Sequence, residues 1–279
     1  MKVYARKIVE YIENNNLSIL SYYDYDFFEL ERKENIDILY MINIQIFVVF
    51  HKNIFDDCYK NIPDDILQEY FTFIGVNEKI PKNYTDNKYK VINEWELPIY
   101  DPTFQERGYN ENSVLYHVYA NNLHKYYEYV GFFQYDMAFC DNIIDFLEKN
   151  ITTTPTLFGC MIESFSFCSY DTWNEPRTLD YVVNDYETFY NRPFNKESSF
   201  PLLNSYVIST DIYEKIMKWI IQLYDKLYPW CIQPPNRTHF GHIGGIYERI
   251  MAYALGQEYS HYISLNISHD QQHYKRLSY

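Results

Sequence analysis

A chain of 279 residues can bury a substantial core, and an aromatic content of 20%, with 32 Tyr, 19 Phe and 4 Trp, excludes a solvating, disordered polypeptide. A net charge of -14 without any basic run excludes a nucleic-acid duplex as partner, because phosphate-backbone binding needs clustered Lys and Arg. The five cysteines are odd in number and irregularly spaced, with no Cys-x-x-Cys pair, so buried thiols in a reducing compartment are expected in place of disulfides or structural zinc.

The opening segment, "MKVYARKIVEYIENNN", lacks the apolar centre of a signal peptide, and no stretch approaches the ~18 uninterrupted apolar residues of a membrane span. A cytoplasmic location is expected; the richness in Asn, Ile, Lys and Tyr fits the AT-rich genome of a large DNA virus or a low-GC bacterium, and the location is the host cytoplasm in the viral case. Val3, Ile8, Val9 and Ile12 predict an amphipathic helix, followed by the acidic aromatic stretch "SYYDYDFFELERKEN". Residues 1–42 are set apart on this basis as an N-terminal helical appendage; a capping subdomain, a homo-oligomer contact and a partner site are all compatible with it.

Residues 43–279 carry the pattern of an α/β domain with a mostly parallel, Rossmann-like sheet flanked by helices. "IQIFVVFH" (44–51) is a continuous β-branched and aromatic run, as in a strand buried on both faces. "DDILQEYFTFIGV" predicts a short helix and a second strand. Val114, Leu115, Val118 and Leu123 fall at helical spacing behind Asn112 as a plausible N-cap. The strand "YVGFF" then runs into Gln134, Tyr135 and Asp136, and "DNIIDFLEKN" predicts a helix capped by Asp141. The aromatic, proline-punctuated stretch 151–200 has no clear period and reads as loops. After the strand "LLNSYVIS" comes a helix capped by Ser209, Thr210 or Asp211, with an apolar stripe ended by Pro229. The last helix follows "HFGHIGG" and stops at Gly256.

In an open α/β sheet, ligands bind past the carboxyl ends of the strands. His51 and Lys52 stand at one such place, and Gln134, Tyr135 and Asp136 at a second. Lys52 suits a phosphate, and Asp136 suits a hard Mg2+ or Mn2+. At the third, Gly244 and Gly245 permit close backbone approach, and Glu248 lies early in the following helix as a general base or an acceptor for sugar hydroxyls. Arg237, His239 and His242 are its neighbours, and His239 is a further metal-ligand candidate. Each residue also has a structural reading: a solvated strand end, an Asx turn, a carboxylate complementing a helix dipole. Neither Gly-x-Ser-x-Gly, the P-loop pattern nor Gly-x-Gly-x-x-Gly occurs, which disfavours a serine hydrolase, a P-loop NTPase and a dinucleotide oxidoreductase.

The blocks "IQIFVVFHK", "YNENSVLYHVYAN", "YEYVGFFQYDM", "LLNSYVIST" and "GHIGGIYERIMAYAL" together resemble, in order, a family of GT-A-like glycosyltransferases linked to capsular polysaccharide or surface glycan synthesis. In that family a His-Lys pair ends the first strand, a Glu-Leu-Thr helix precedes a strand running into His-Tyr-Arg-Arg, and a Gly-x-x-x-Glu-Arg helix closes the domain. The resemblance covers about residues 43–260. It matches His51 and Lys52, Glu111, and Gly245 to Arg249, whereas Gln134-Tyr135-Asp136-Met137 departs from His-Tyr-Arg-Arg. It implies transfer of a sugar from a nucleotide-diphosphate sugar, with uracil as the expected base, to a glycan or glycoconjugate acceptor. In that reading Lys52, Arg237 and a divalent metal on Asp136 neutralise the leaving diphosphate, and Glu248 deprotonates the acceptor. A sugar-binding or structural protein on the same fold, and a glycoside hydrolase, are the alternatives.

Overall fold

The computed structural model describes residues 42–76, 88–160, 162–164, 176–232 and 242–270. The appendage expected over 1–42, save its last residue, lies outside the described residues, as do Arg237 and His239.

A seven-stranded sheet organises the remainder. Its strands are β1 (Ile44–Phe50), β2 (Phe71–Gly75), β3 (Val91–Asn93), β4 (Tyr129–Gln134), β6 (Leu157–Gly159), β9 (Tyr206–Ser209) and β10 (Tyr262–Ser264), in the order β10-β6-β9-β4-β1-β2-β3. All neighbours are parallel except β9, which runs antiparallel to both β4 and β6. Two-stranded pairs lie outside this sheet: β5 (Met137–Phe139) with β11 (Ile267–His269), and β7 (Ile162–Ser164) with β8 (Ser199–Pro201). The expected mixed α/β architecture with a mostly parallel central sheet is therefore the one observed.

The apolar run 44–50 is buried at every position because both faces of the sheet are covered. Alternation sends Phe47 and Val49 of β1, with Phe132 of β4, into the larger core. That core is closed by α3 (Asn112–Ala120), α5 (Pro176–Tyr190), α6 (Thr210–Cys231) and α7 (His242–Glu258). Phe133 turns to the opposite face and meets Phe139, which also contacts Phe71 and Tyr59. Three shorter helices, α1 (Asp64–Tyr70), α2 (Thr103–Glu106) and α4 (Ile143–Asn150), occupy the connections.

Several local expectations are corrected. The stretch 151–200 holds two short strands, the strand β8 and a 15-residue helix. Pro176 opens that helix, where its missing N–H costs nothing, and Val182, Val183 and Tyr186 form its buried face. Asn142, not Asp141, caps α4 by accepting from Ile144 N–H, while Asp141 accepts from Asn266 Nδ2. Asn112 is the first residue of α3, and its side chain bonds across to α7 instead of capping its own helix. Ser209 occupies the N-cap position of α6 without a side-chain capping bond. That helix continues through Pro229 to Cys231, so proline costs one bond in the last turn and does not end the helix. The last helix passes Gly256 and ends at Glu258. A Cβ on Gly256 would stand 2.7 Å from Ser199 O, so glycine is needed for α7 to lie this close to β8.

Candidate functional site

The β1–β4 register pairs Val49 with Gln134. Carried two residues further, it sets His51 level with Asp136 at the carboxyl edge of the sheet. Because β9 is antiparallel and begins opposite Phe132, the turn that feeds it, residues 202–205, reaches the same edge. Three separate segments thus converge there from positions far apart in the chain.

His51 Nε2 lies 3.0 Å from Glu111 Oε1, and its ring meets Tyr135 edge-on with centroids 5.8 Å apart. Glu111 sits at the N-cap position of α3, yet its carboxylate caps nothing and reaches to His51 instead. Burial pushes the Glu111 carboxyl upward, but the hydrogen bond and charge of His51, with a backbone bond, outweigh burial and hold it below its ordinary value. Tyr135 is buried between His51 and Phe55, Gln134 is half-buried, and Lys52 is exposed at the strand end.

Asp136 is only 2% exposed. Its Oδ2 is 2.9 Å from His269 Nε2, and its backbone carbonyl accepts from Asp270 N–H at 2.8 Å. The β5–β11 pairing makes this possible, since it places Met137 opposite His269. Burial raises the Asp136 carboxyl above its ordinary value; the charge and hydrogen bond of His269 and a backbone bond pull it down, and the charge of Glu111 adds to the rise. Asp136 Oδ1 is buried without a hydrogen-bond partner. An unpartnered carboxylate oxygen beside an imidazole is an apt seat for a hard divalent cation that keeps other ligands from solvent or substrate. Among the described residues no three His, Cys, Asp or Glu side chains are grouped to hold a metal on their own. A cation here would depend on the substrate to complete its shell.

Glu248 lies within α7 with a side chain 16% exposed, and its Oε1 accepts from Leu203 N–H and from Arg249 Nη1, each at 3.1 Å. Burial raises its carboxyl above the ordinary value, the Arg249 charge opposes this, and the charge of Glu111 adds to it. Glu111 therefore stands electrostatically between Asp136 and Glu248. Gly244 is turned toward the loop before α3: its N–H donates to Gly108 O at 3.1 Å and its carbonyl accepts from Asn112 Nδ2. At Gly245 nothing among the described residues lies within 4 Å of where a Cβ would stand. His269 and the Leu203 amide were missed from sequence, because neither belongs to a recognisable motif.

No helix among the described residues is long and apolar enough to cross a membrane. No protein-family model matches the chain, and no curated protein matches it in sequence. Among solved structures, it is similar to the apo structure of WbbM, a bifunctional glycosyltransferase, with a TM-score of 0.55 and 16% identity. The likeness covers 81% of this chain and 45% of that one, so the chain spans less than half of the protein it matches. At this identity the likeness is one of fold alone.

Proposed function

We propose that the protein is a glycosyltransferase that moves a sugar from a nucleotide-diphosphate sugar, with UDP as carrier, to a glycan or glycoconjugate acceptor. One observation carries this reading: His51, Glu111, Asp136, His269 and Glu248 gather past the carboxyl ends of β1 and β4 in a glycosyltransferase fold. That edge is where open α/β sheets take nucleotide ligands.

The chemistry divides between two ends of the site. Lys52, with Arg237 beyond the described residues, supplies positive charge for the leaving diphosphate. Asp136 and His269 would hold a divalent cation, Mn2+ or Mg2+, which when bound neutralises charge on the departing phosphate oxygens. The unpartnered Asp136 Oδ1 supports that assignment, and His239, outside the described residues, is the further ligand candidate from sequence. Glu248 takes the proton of the acceptor hydroxyl. Its raised carboxyl favours this role, since a base works best when its pKa approaches the operating pH.

A glycoside hydrolase is the second reading, favoured by the opposite displacement of two coupled carboxyls, Glu111 downward and Glu248 upward. A thermal-shift screen of UDP and UDP-sugars with Mn2+ or EDTA separates the two. The transferase reading expects selective stabilisation by one UDP-sugar; absence of any nucleotide effect, together with turnover of an aryl glycoside, would overturn it.

A further inference from the structure

The turn between β8 and β9 adopts a backbone conformation that its sequence does not favour. Leu203 has φ +61° and Asn204 has φ +43°, while the other non-glycine positive-φ positions among the described residues are all asparagines. Asparagine visits the left-handed region readily; a bulky leucine does so only when its surroundings compel it.

Two contacts supply that compulsion. Leu203 N–H donates to Glu248 Oε1 at 3.1 Å, and Asn204 Nδ2 donates to Asn112 Oδ1 at 3.3 Å. The amide orientations follow from the network. Asn112 Nδ2 is committed to two carbonyls, Gly244 O at 2.8 Å and Tyr109 O at 3.3 Å, so Asn112 can offer Asn204 only its oxygen. Asn204 must then present its nitrogen, which leaves its own Oδ1 buried and unpartnered. The turn is thus fastened at one end to α3, beside Glu111, and at the other to α7, at Glu248. The Leu203 and Arg249 bonds both fall on Glu248 Oε1, leaving Oε2 as the oxygen to take a proton.

We propose that Leu203–Asn204 is a positioning turn: Asn204 clamps it to Asn112, and the clamped turn aims the Leu203 amide at Oε1, fixing the direction in which Oε2 meets the acceptor. The catalytic meaning of this rests on Glu248 as base; the positioning itself does not. The charged and titratable groups acting on Glu248 are Arg249 on its own helix and Glu111 ahead of α3, and Tyr206 on β9 senses its charge in turn.

The test is a 13C titration of the Glu248 carboxyl in full-length protein labelled at glutamate, with its resonance identified by its loss in Glu248→Gln. Asn204→Gly removes the clamp while accepting the left-handed backbone, and Asn112→Ala, which removes the same clamp from the α3 side, serves as the second variant if the first does not fold. Loss of a well-aimed amide should raise the Glu248 pKa by about half a unit or more. Calorimetric UDP affinity should stay within about twofold, and kcat for the UDP-sugar found by screening should fall about tenfold with little change in KM. A Glu248 pKa within about 0.2 units of the parent in the folded variants would overturn the proposal, since the hydrogen bond would then carry no weight. A raised pKa without turnover of any UDP-sugar would sustain the positioning and count against the transferase reading alone.

Discussion

His269→Ala removes the partner of a carboxylate that is nearly inaccessible to solvent. Breaking a fully buried ion pair typically costs about 3–5 kcal/mol, because one charge is left desolvated without compensation. The His269 side chain is 24% exposed, so water screens part of the interaction and the expected cost at neutral pH falls to about 2–3 kcal/mol. For a domain of this size that corresponds to a Tm drop of about 4–12 °C. The pH dependence is more diagnostic than the drop. Burial already raises the folded-state Asp136 carboxyl above its unfolded value of ~3.9, so over the interval between the two values the native state binds more protons and acidification stabilises it. This is the reverse of a typical salt-bridged carboxylate. Without His269, two influences that lower the carboxyl disappear and the interval widens upward. The penalty should be largest above the raised value and shrink as pH falls through it, so calorimetric scans at about pH 7.5 and near the unfolded value of ~3.9 should show a clearly smaller Tm loss at the lower pH. In an Asp136→Asn background the same substitution should cost no more than about 1 kcal/mol. Equal losses at both pH values, or an undiminished loss in the Asn background, would refute the Asp136–His269 energetics.

Three further outcomes are expected. Asp136→Asn should hold stability within about 1 kcal/mol, because it discharges a buried and half-satisfied group, yet abolish the part of UDP binding that EDTA removes, as read by calorimetry. Glu248→Gln should keep UDP affinity within about twofold while transfer falls by about 100-fold or more; wild-type turnover would remove it as base. Gly256→Ala sets a methyl 2.7 Å from Ser199 O and 3.0 Å from Ser198 Oγ, and should cost about 1–3 kcal/mol in urea unfolding at unchanged slope.

What could be read in the chain tracks the range over which each signal operates. The strands 44–50 and 129–134 were legible because two-sided burial writes itself as unbroken apolar runs. The helix 210–231 was legible because one buried stripe recurs over six turns. The helix 176–190 was hidden in an aromatic, proline-punctuated stretch without an overall period; its proline start and the Val182, Val183, Tyr186 spacing were the available signals. The place of Asp136 at the carboxyl edge of the sheet could be read from strand-end logic alone. His269 was not, since its place beside Asp136 depends on a three-residue strand pairing across 133 positions, which no local pattern encodes. Gly244 was chosen for ligand approach, but its observed contacts are to Gly108 and Asn112, an inter-segment fit that sequence does not reveal.

The imidazole of the site hangs on the β5–β11 ribbon, a pairing of only three residues per strand that is separate from the main sheet. Such a ribbon is marginal by itself and belongs among the first elements to open. A ligand that engages both Asp136 and His269 would couple its binding free energy to closure of this ribbon. Occupancy of the site should then appear as slowed amide exchange along Met137–Phe139 and Ile267–His269, while the amides of β1 and β4 exchange at rates set by global unfolding with or without ligand.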